Sequence, residues 1–177
     1  MTGDALQTPE RAYQIYDALR DFLLNQKYFG YRLIQYRKYN FWMEMLIAVG
    51  ATGSGVAGFS LWQANYGQLI WGMISGVSVI LALAKPLLNL TARVETYAKL
   101  YGEYTSAYVK MKRLVDDMQV EKTISAARMK SFDEIRDRAA ELASLNDPAP
   151  KPEFVRKLEN EVNEQIRIDL LWVPIGP

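Results

Sequence analysis

The sequence predicts an all-α membrane protein, a two-helix transmembrane hairpin continued by a cytoplasmic helical bundle or coiled coil. Met45 to Ala84 is forty residues without one charged side chain, although the chain carries 21 basic and 20 acidic residues elsewhere. That stretch divides at the polar connection Gln63-Ala64-Asn65-Tyr66-Gly67-Gln68, which turns one long apolar run into two. After Pro86, apolar and aromatic residues alternate at spacings of three and four for more than four heptads, the period of a packed helix.

Residues 1–40 read as a cytoplasmic amphipathic helix. Thr8 followed by Pro9 and Glu10 is a helix start, because proline suits the first turn and a carboxylate there complements the helix dipole. Ala12, Ile15, Leu19, Phe22, Phe29, Leu33 and Tyr36 then recur on one face, interrupted only at Gln26. Asp4, Glu10, Asp17 and Asp21 stand where a cleavable signal would need a basic start and an apolar core, so no such signal is expected.

Residues 41–88 form the predicted hairpin, with spans at about 45–62 and 69–84. Eighteen residues rise roughly 27 Å, close to a hydrocarbon core of about 30 Å. The second span reaches about 24 Å and needs Lys85 to snorkel, with Pro86, Leu87 and Leu88 in the interface. Phe41 and Trp42 mark one rim; Trp62, Tyr66 and Trp71 mark the other. Lys27, Arg32, Arg37 and Lys38 precede the hairpin and Lys85, Arg93 and Lys99 follow it, while the connection is uncharged. This bias puts both termini in the cytoplasm, at the inner membrane. A soluble fold would have to wrap forty uncharged residues with too little remaining chain.

Within the first span Gly50, Ser54 and Gly58 repeat every four residues, and the second answers with Gly72 and Gly76. Such faces let backbones approach closely, either between the two spans of one chain or between subunits of a homo-oligomer. Thr52, Ser54, Ser60, Ser75 and Ser78 either line a wet path or bond their own backbone. Glu44, at the cytoplasmic rim, offers an electrostatic ring or gate; the alternative is a salt bridge to Lys85.

Residues 89–146 read as a long cytoplasmic helix and a second, capped helix. The seam of the first runs through Leu87, Leu90, Val94, Tyr97, Tyr101, Tyr104, Tyr108, Met111, Val115 and Met118. Four tyrosines argue for a broad bundle with hydroxyls at its edge or bonded to Asn, Gln or carboxylates, since a buried phenol needs a partner. The opening helix is the expected neighbour, running antiparallel. Pro86 is the expected handover from span to rod, and Ser131 with Glu134 reads as a capping box ahead of Ile135, Leu142 and Leu145. Residues 147–177 comprise a Pro-rich break, a helix with Phe154, Leu158, Val162 and Ile166 on one face, and an apolar tail. That tail is too short to span, leaving docking on the rod, the lipid interface or a neighbour as its fates.

The chain has no Cys and no His, which removes thiolate and imidazole chemistry and nearly all transition-metal sites. No glycine loop is followed by Lys-Ser or Lys-Thr to cradle a phosphate. Asp116-Asp117 and Asp133-Glu134 read as solvated faces. Lys110-Met111-Lys112-Arg113 is the one compact basic cluster, able to attract an anionic nucleotide or headgroup but followed by Asp116 and Asp117. With a net charge of +1, nucleic-acid binding is not expected. No catalytic, cofactor-binding or metal-binding residue emerges, so the expectation is a protein that is not an enzyme and needs no cofactor.

The order of parts, with Tyr31-Arg32-Leu33-Ile34-Gln35-Tyr36-Arg37-Lys38-Tyr39 ahead of a small-residue hairpin and a long Tyr-rich helix after it, resembles the SLATT family. These are bacterial two-transmembrane effector domains found beside nucleotide-second-messenger synthases and nucleotide-sensing domains in defence systems. The resemblance implies an oligomeric effector that breaches the inner membrane when a nucleotide-sensing partner or cyclic nucleotide signals infection. The residues alone also admit a two-span anchor or scaffold that recruits a partner through its cytoplasmic helices.

Overall fold

The computed structural model describes residues 8–52, 66–147 and 150–175. Among these residues the chain is all-α, without strands: α1 (Pro9–Thr52), α2 (Gly67–Leu88), α3 (Leu90–Glu121), α4 (Ala126–Leu142) and α5 (Pro152–Gln165), with short 3-10 turns at Ala143–Leu145 and Ile168–Leu170. It divides into two compact units, one holding the chain up to Tyr31 and from Thr96 onward, the other holding Arg32–Glu95.

The first unit is a helical bundle. Thr8 opens α1, its hydroxyl accepting the Arg11 N–H at 3.4 Å. Ala12, Ile15, Tyr16, Leu19, Phe22 and Phe29 are buried along one stripe of α1, the 3.6-residue period expected of a core-facing helix. Phe29 stacks between two rings of α3, Tyr104 at 5.4 Å and Tyr97 at 6.0 Å. Beside it Gly30 admits the Tyr101 ring, which would stand only 3.0 Å from any added Cβ.

The buried face of α3 is turned by part of a residue step from the predicted seam. Tyr97, Tyr104, Met111, Val115 and Met118 are buried as the spacing implies, but Leu100, Ala107 and Leu114 are buried with them, while Tyr101 is exposed and Tyr108 half-buried. The two sets lie side by side on a helix, and α3 meets more than one partner, so its covered arc is wider than a two-stranded seam. Phenols then stay at the edge unless a polar partner is at hand. Tyr104 finds Asn146 at 3.2 Å and Tyr28 finds Asp147 at 2.6 Å.

α3 ends where Lys122 adopts a left-handed backbone, φ 51°, with its N–H on the Met118 carbonyl at 3.0 Å. Buried Ile124 pins the turn. Ser125, in extended conformation, caps α4 by accepting the Arg128 N–H at 3.2 Å. The expected cap, Ser131, therefore lies inside α4; Ala126, Ala127 and Met129 are good helix formers, and the helix starts as soon as Ser125 supplies an acceptor. Pro152 opens α5, which buries Leu158 and Val162, with Ile166 just beyond its end. Phe154 lies against Tyr31, ring centroids 4.4 Å apart.

In the second unit the rest of α1 runs antiparallel to α2 and the start of α3. Partners descend along one strand of chain as they ascend along the other: Tyr36 with Arg93, Glu44 with Lys85, Leu46 with Ser78. α2 does not give way at Pro86. The proline lies inside it, and the helix ends at Asn89, φ 47° and ψ 39°, whose N–H bonds the Lys85 carbonyl at 3.2 Å. Pro86 has no N–H to give the Ala82 carbonyl, yet the helix continues past it to Leu88, whereas Asn89 tolerates the left-handed turn that ends it.

Among the described residues one helix, Gly67–Leu88, is long and apolar enough to cross a membrane. Its large side chains are open, Leu83 at 69 % and Ile80 at 67 % exposure. Of the predicted first span, Met45 to Thr52 is helical in α1. Its remainder, with Ser54, Gly58, Ser60, Trp62 and the connection up to Asn65, lies outside the described residues, as does the Trp71 side chain.

Leu100→Ala should lower the stability of the bundle by about 2–5 kcal/mol, the cost of a fully buried leucine. Val120→Ala, at a residue 82 % exposed, should stay within about 0.5 kcal/mol. Denaturant titration followed by far-ultraviolet circular dichroism reads both.

Candidate functional site

In the unit Arg32–Glu95, α1 and α2 approach closely at Gly50 and Ser78. A Cβ on Gly50 would fall inside the van der Waals radii of the Ser78 Oγ and Cβ. Ser78 is buried, and its hydroxyl donates to the Ile74 carbonyl at 2.8 Å, with the Leu46 carbonyl of α1 at 3.1 Å. One hydroxyl thus bonds its own helix and reaches the neighbour, so a wet-path role is not needed to explain it. Gly72 and Gly76 are not brought to Gly50; an added Cβ at either meets nothing within 4 Å among the described residues.

In the same unit Glu44 Oε1 receives Lys85 Nζ at 2.9 Å and Asn40 Nδ2 at 3.1 Å. The salt bridge is the arrangement present. Below it the Tyr36 ring lies between two cations, Arg32 at 5.2 Å and Arg93 at 5.8 Å from its centroid. Leu90 is buried and Val94 half-buried here, whereas Leu87 is 86 % exposed.

In the bundle unit the sequence gives little notice of a clasp on the C-terminal tail. Tyr16, fully buried, donates its hydroxyl to the Trp172 carbonyl and accepts from Gln119 Nε2 at 2.9 Å. Gln119 Oε1 in turn accepts the Trp172 N–H at 2.8 Å. Arg20 adds two bonds to the Ile166 carbonyl, from Nε at 3.0 Å and from a terminal nitrogen at 2.7 Å. Of the three fates open to Leu170–Ile175, docking on the helices is the one observed. These contacts take hold of backbone, which explains their silence in side-chain patterning. Burial raises the Tyr16 phenol above its ordinary value; the Gln119 hydrogen bond lowers it in part and the neighbouring Tyr13 adds a smaller upward push.

The basic cluster splits by face. Lys112 is tied to Asp116 at 3.0 Å one turn along α3, whereas Lys110 and Arg113 line a groove of about 550 Å³ between α3 and α4. No group of three or more acidic side chains placed to hold a metal ion occurs among the described residues. No protein-family model matches the chain, and no curated protein or solved structure matches it.

Gly50→Ala should weaken association of α1 with α2 by about 1–3 kcal/mol through overpacking, and Ser78→Gly should recover much of that loss. A double-mutant cycle of unfolding in mixed micelles reads the coupling; additivity would contradict the contact. At Tyr16 an acid has its folded pKa raised, so its contribution to stability is fully present below the unfolded value of about 10 and is lost as pH climbs from there through the folded value. Tyr16→Phe should cost about 1–3 kcal/mol near neutrality, because Gln119 and the Trp172 carbonyl lose a partner. Compared with the parent, its stability should fall less steeply above pH about 10.

Proposed function

We propose that this protein is an oligomeric bacterial membrane effector. In this reading residues 41–88 insert as a two-span hairpin with both termini in the cytoplasm, copies assemble in the inner membrane, and the assembly forms a pore or perturbs the bilayer. The observation that carries it is α2: twenty-two residues with no charge before Lys85, apolar and exposed along their length, which in water would be an untenable patch and in lipid needs no cover. Gly72 and Gly76, open among the described residues, suit close packing of a further helix. The resemblance to the SLATT family supplies the physiological setting, a nucleotide-signalled anti-phage or conflict response. For such an effector the open arrangement must be rare at rest, so a signal must favour it over the closed one.

A second reading, a two-span anchor whose helices recruit another protein, is favoured by the open groove between α3 and α4. Reconstitution separates the two. The effector reading expects dye and ion release from liposomes above a threshold protein-to-lipid ratio, with an oligomeric mass in nanodiscs. It also expects Gly76→Ile to abolish release while insertion persists. A monomer that never releases dye at any ratio would leave the anchor.

A further inference from the structure

We infer that the groove between α3 and α4 is a binding site for a small organic phosphate, of the size of a mononucleotide or a phosphorylated headgroup. The groove lies wholly within the bundle unit, and the inference holds whether or not the hairpin forms a pore. Its volume, about 550 Å³, falls in the range of small-molecule sites, roughly 300–1,000 Å³.

The helices leave this space because their facing edges carry small side chains, Ser106 and Ala107 on α3 and Ala127 and Ser131 on α4. Leu114 and Ile135 give the floor an apolar surface against which a ring can lie. Four cations reach the groove, Lys110, Arg113, Arg128 and Arg138. Two are already committed and held in place: Arg138 by Glu103 at 3.0 Å and Glu141 at 2.7 Å, Arg128 by Glu121 and by the Thr123 carbonyl at 2.9 Å.

Lys110 and Arg113 differ. They stand three residues apart on the same face of α3, and neither makes a hydrogen bond or ion pair among the described residues. Like charges at that spacing repel, a repulsion that a bound dianion relieves. Lys112, between them in sequence, shows what an ordinary solvated lysine does here, pairing with Asp116.

The groove also carries Glu103, Asp117 and Glu134. Glu103 is spent on Arg138, and Glu134 has Lys130 at 3.9 Å. Asp117 remains as an acceptor, which disfavours a bare polyanion and suits a ligand with hydroxyl or amino donors beyond its phosphate. The hydroxyls of Ser106 and Ser131 complete the polar lining. Charge on the rim, an apolar floor and one free acceptor together select an organic phosphate over inorganic phosphate.

The chain has no cysteine, so Ser131→Cys in the full-length protein, held in phosphatidylcholine nanodiscs, gives one reporter thiol in the groove. ADP, glycerophosphoinositol 4-phosphate and inorganic phosphate are titrated against maleimide alkylation, alongside nanodiscs doped with phosphatidylinositol 4-phosphate. The expected result is protection by at least one of the two soluble organic phosphates or by the doped discs, with inorganic phosphate far weaker. Protection by a soluble compound identifies a free ligand; protection only in doped discs identifies a lipid headgroup. Lys110→Gln with Arg113→Gln should weaken protection about tenfold or more, the scale of one lost charge-assisted hydrogen bond, and Lys112→Gln should leave it unchanged. Circular dichroism confirms that each variant is folded. No protection by any of these probes, or equal weakening by Lys112→Gln, would overturn the assignment.

Discussion

An uncharged backbone stretch of forty residues, Met45 to Ala84, constrains everything else in the chain. In the proposed membrane setting, peptide groups removed from water have no partner except one another, which favours helix; of that stretch Met45–Thr52 and Gly67–Ala84 are helical. In the unit Arg32–Glu95, Tyr36, Glu44 and Leu46 meet Arg93, Lys85 and Ser78 in reverse sequence, so α1 and α2 run antiparallel. Close approach is then decided by side-chain size. Gly50 against Ser78 brings the helices together at one level, and the hydroxyl that a lipid-facing site would leave unsatisfied is consumed by two carbonyls.

The bundle unit solves a different problem. Its core is aromatic, with Phe29 between Tyr97 and Tyr104, and each buried phenol carries a hydroxyl that costs free energy unless it is bonded. Asn146, Asp147 and Gln119 meet that demand for Tyr104, Tyr28 and Tyr16. The consequence reaches the C-terminal tail, because Tyr16 and Gln119 satisfy one another and the backbone of Trp172 in a closed set of bonds. The tail thereby becomes part of the bundle through its backbone, with Leu171, Trp172 and Val173 half-buried and Pro174 buried.

Much of this was legible in the residues. Pro9 opens α1 as read, where a fixed φ and a missing N–H do no harm; Pro152, read as the end of the break, opens α5 in the same way, and Leu158, Val162 and Ile166 are buried as their four-residue spacing implies. The features that eluded the pattern share a cause. Leu100, Ala107 and Leu114 occupy the second flank of α3, and only the number of neighbours decides that both flanks are covered. Ser125 outcompetes Ser131 as a cap because the chain leaves α3 at Lys122, and a left-handed lysine has no strong signature. Asn89, not Pro86, ends α2, and there the residue type does fit the left-handed turn. The tail clasp and the pairing of Glu44 with Lys85 across forty residues are tertiary facts. The first rests on backbone atoms; the second was one of two arrangements that the charges allowed.

The proposed function requires α2 to reside in lipid, and thiol accessibility tests that most directly. In the otherwise cysteine-free chain, Ile80→Cys and Val120→Cys are compared in sealed proteoliposomes with a membrane-impermeant maleimide before and after permeabilisation and detergent. Residence in lipid predicts that Cys at position 80 stays unreactive until detergent is added, while Cys at position 120 reacts wherever reagent reaches the bundle side. Prompt labelling of position 80 in intact vesicles, as fast as a free thiol in buffer, would contradict it.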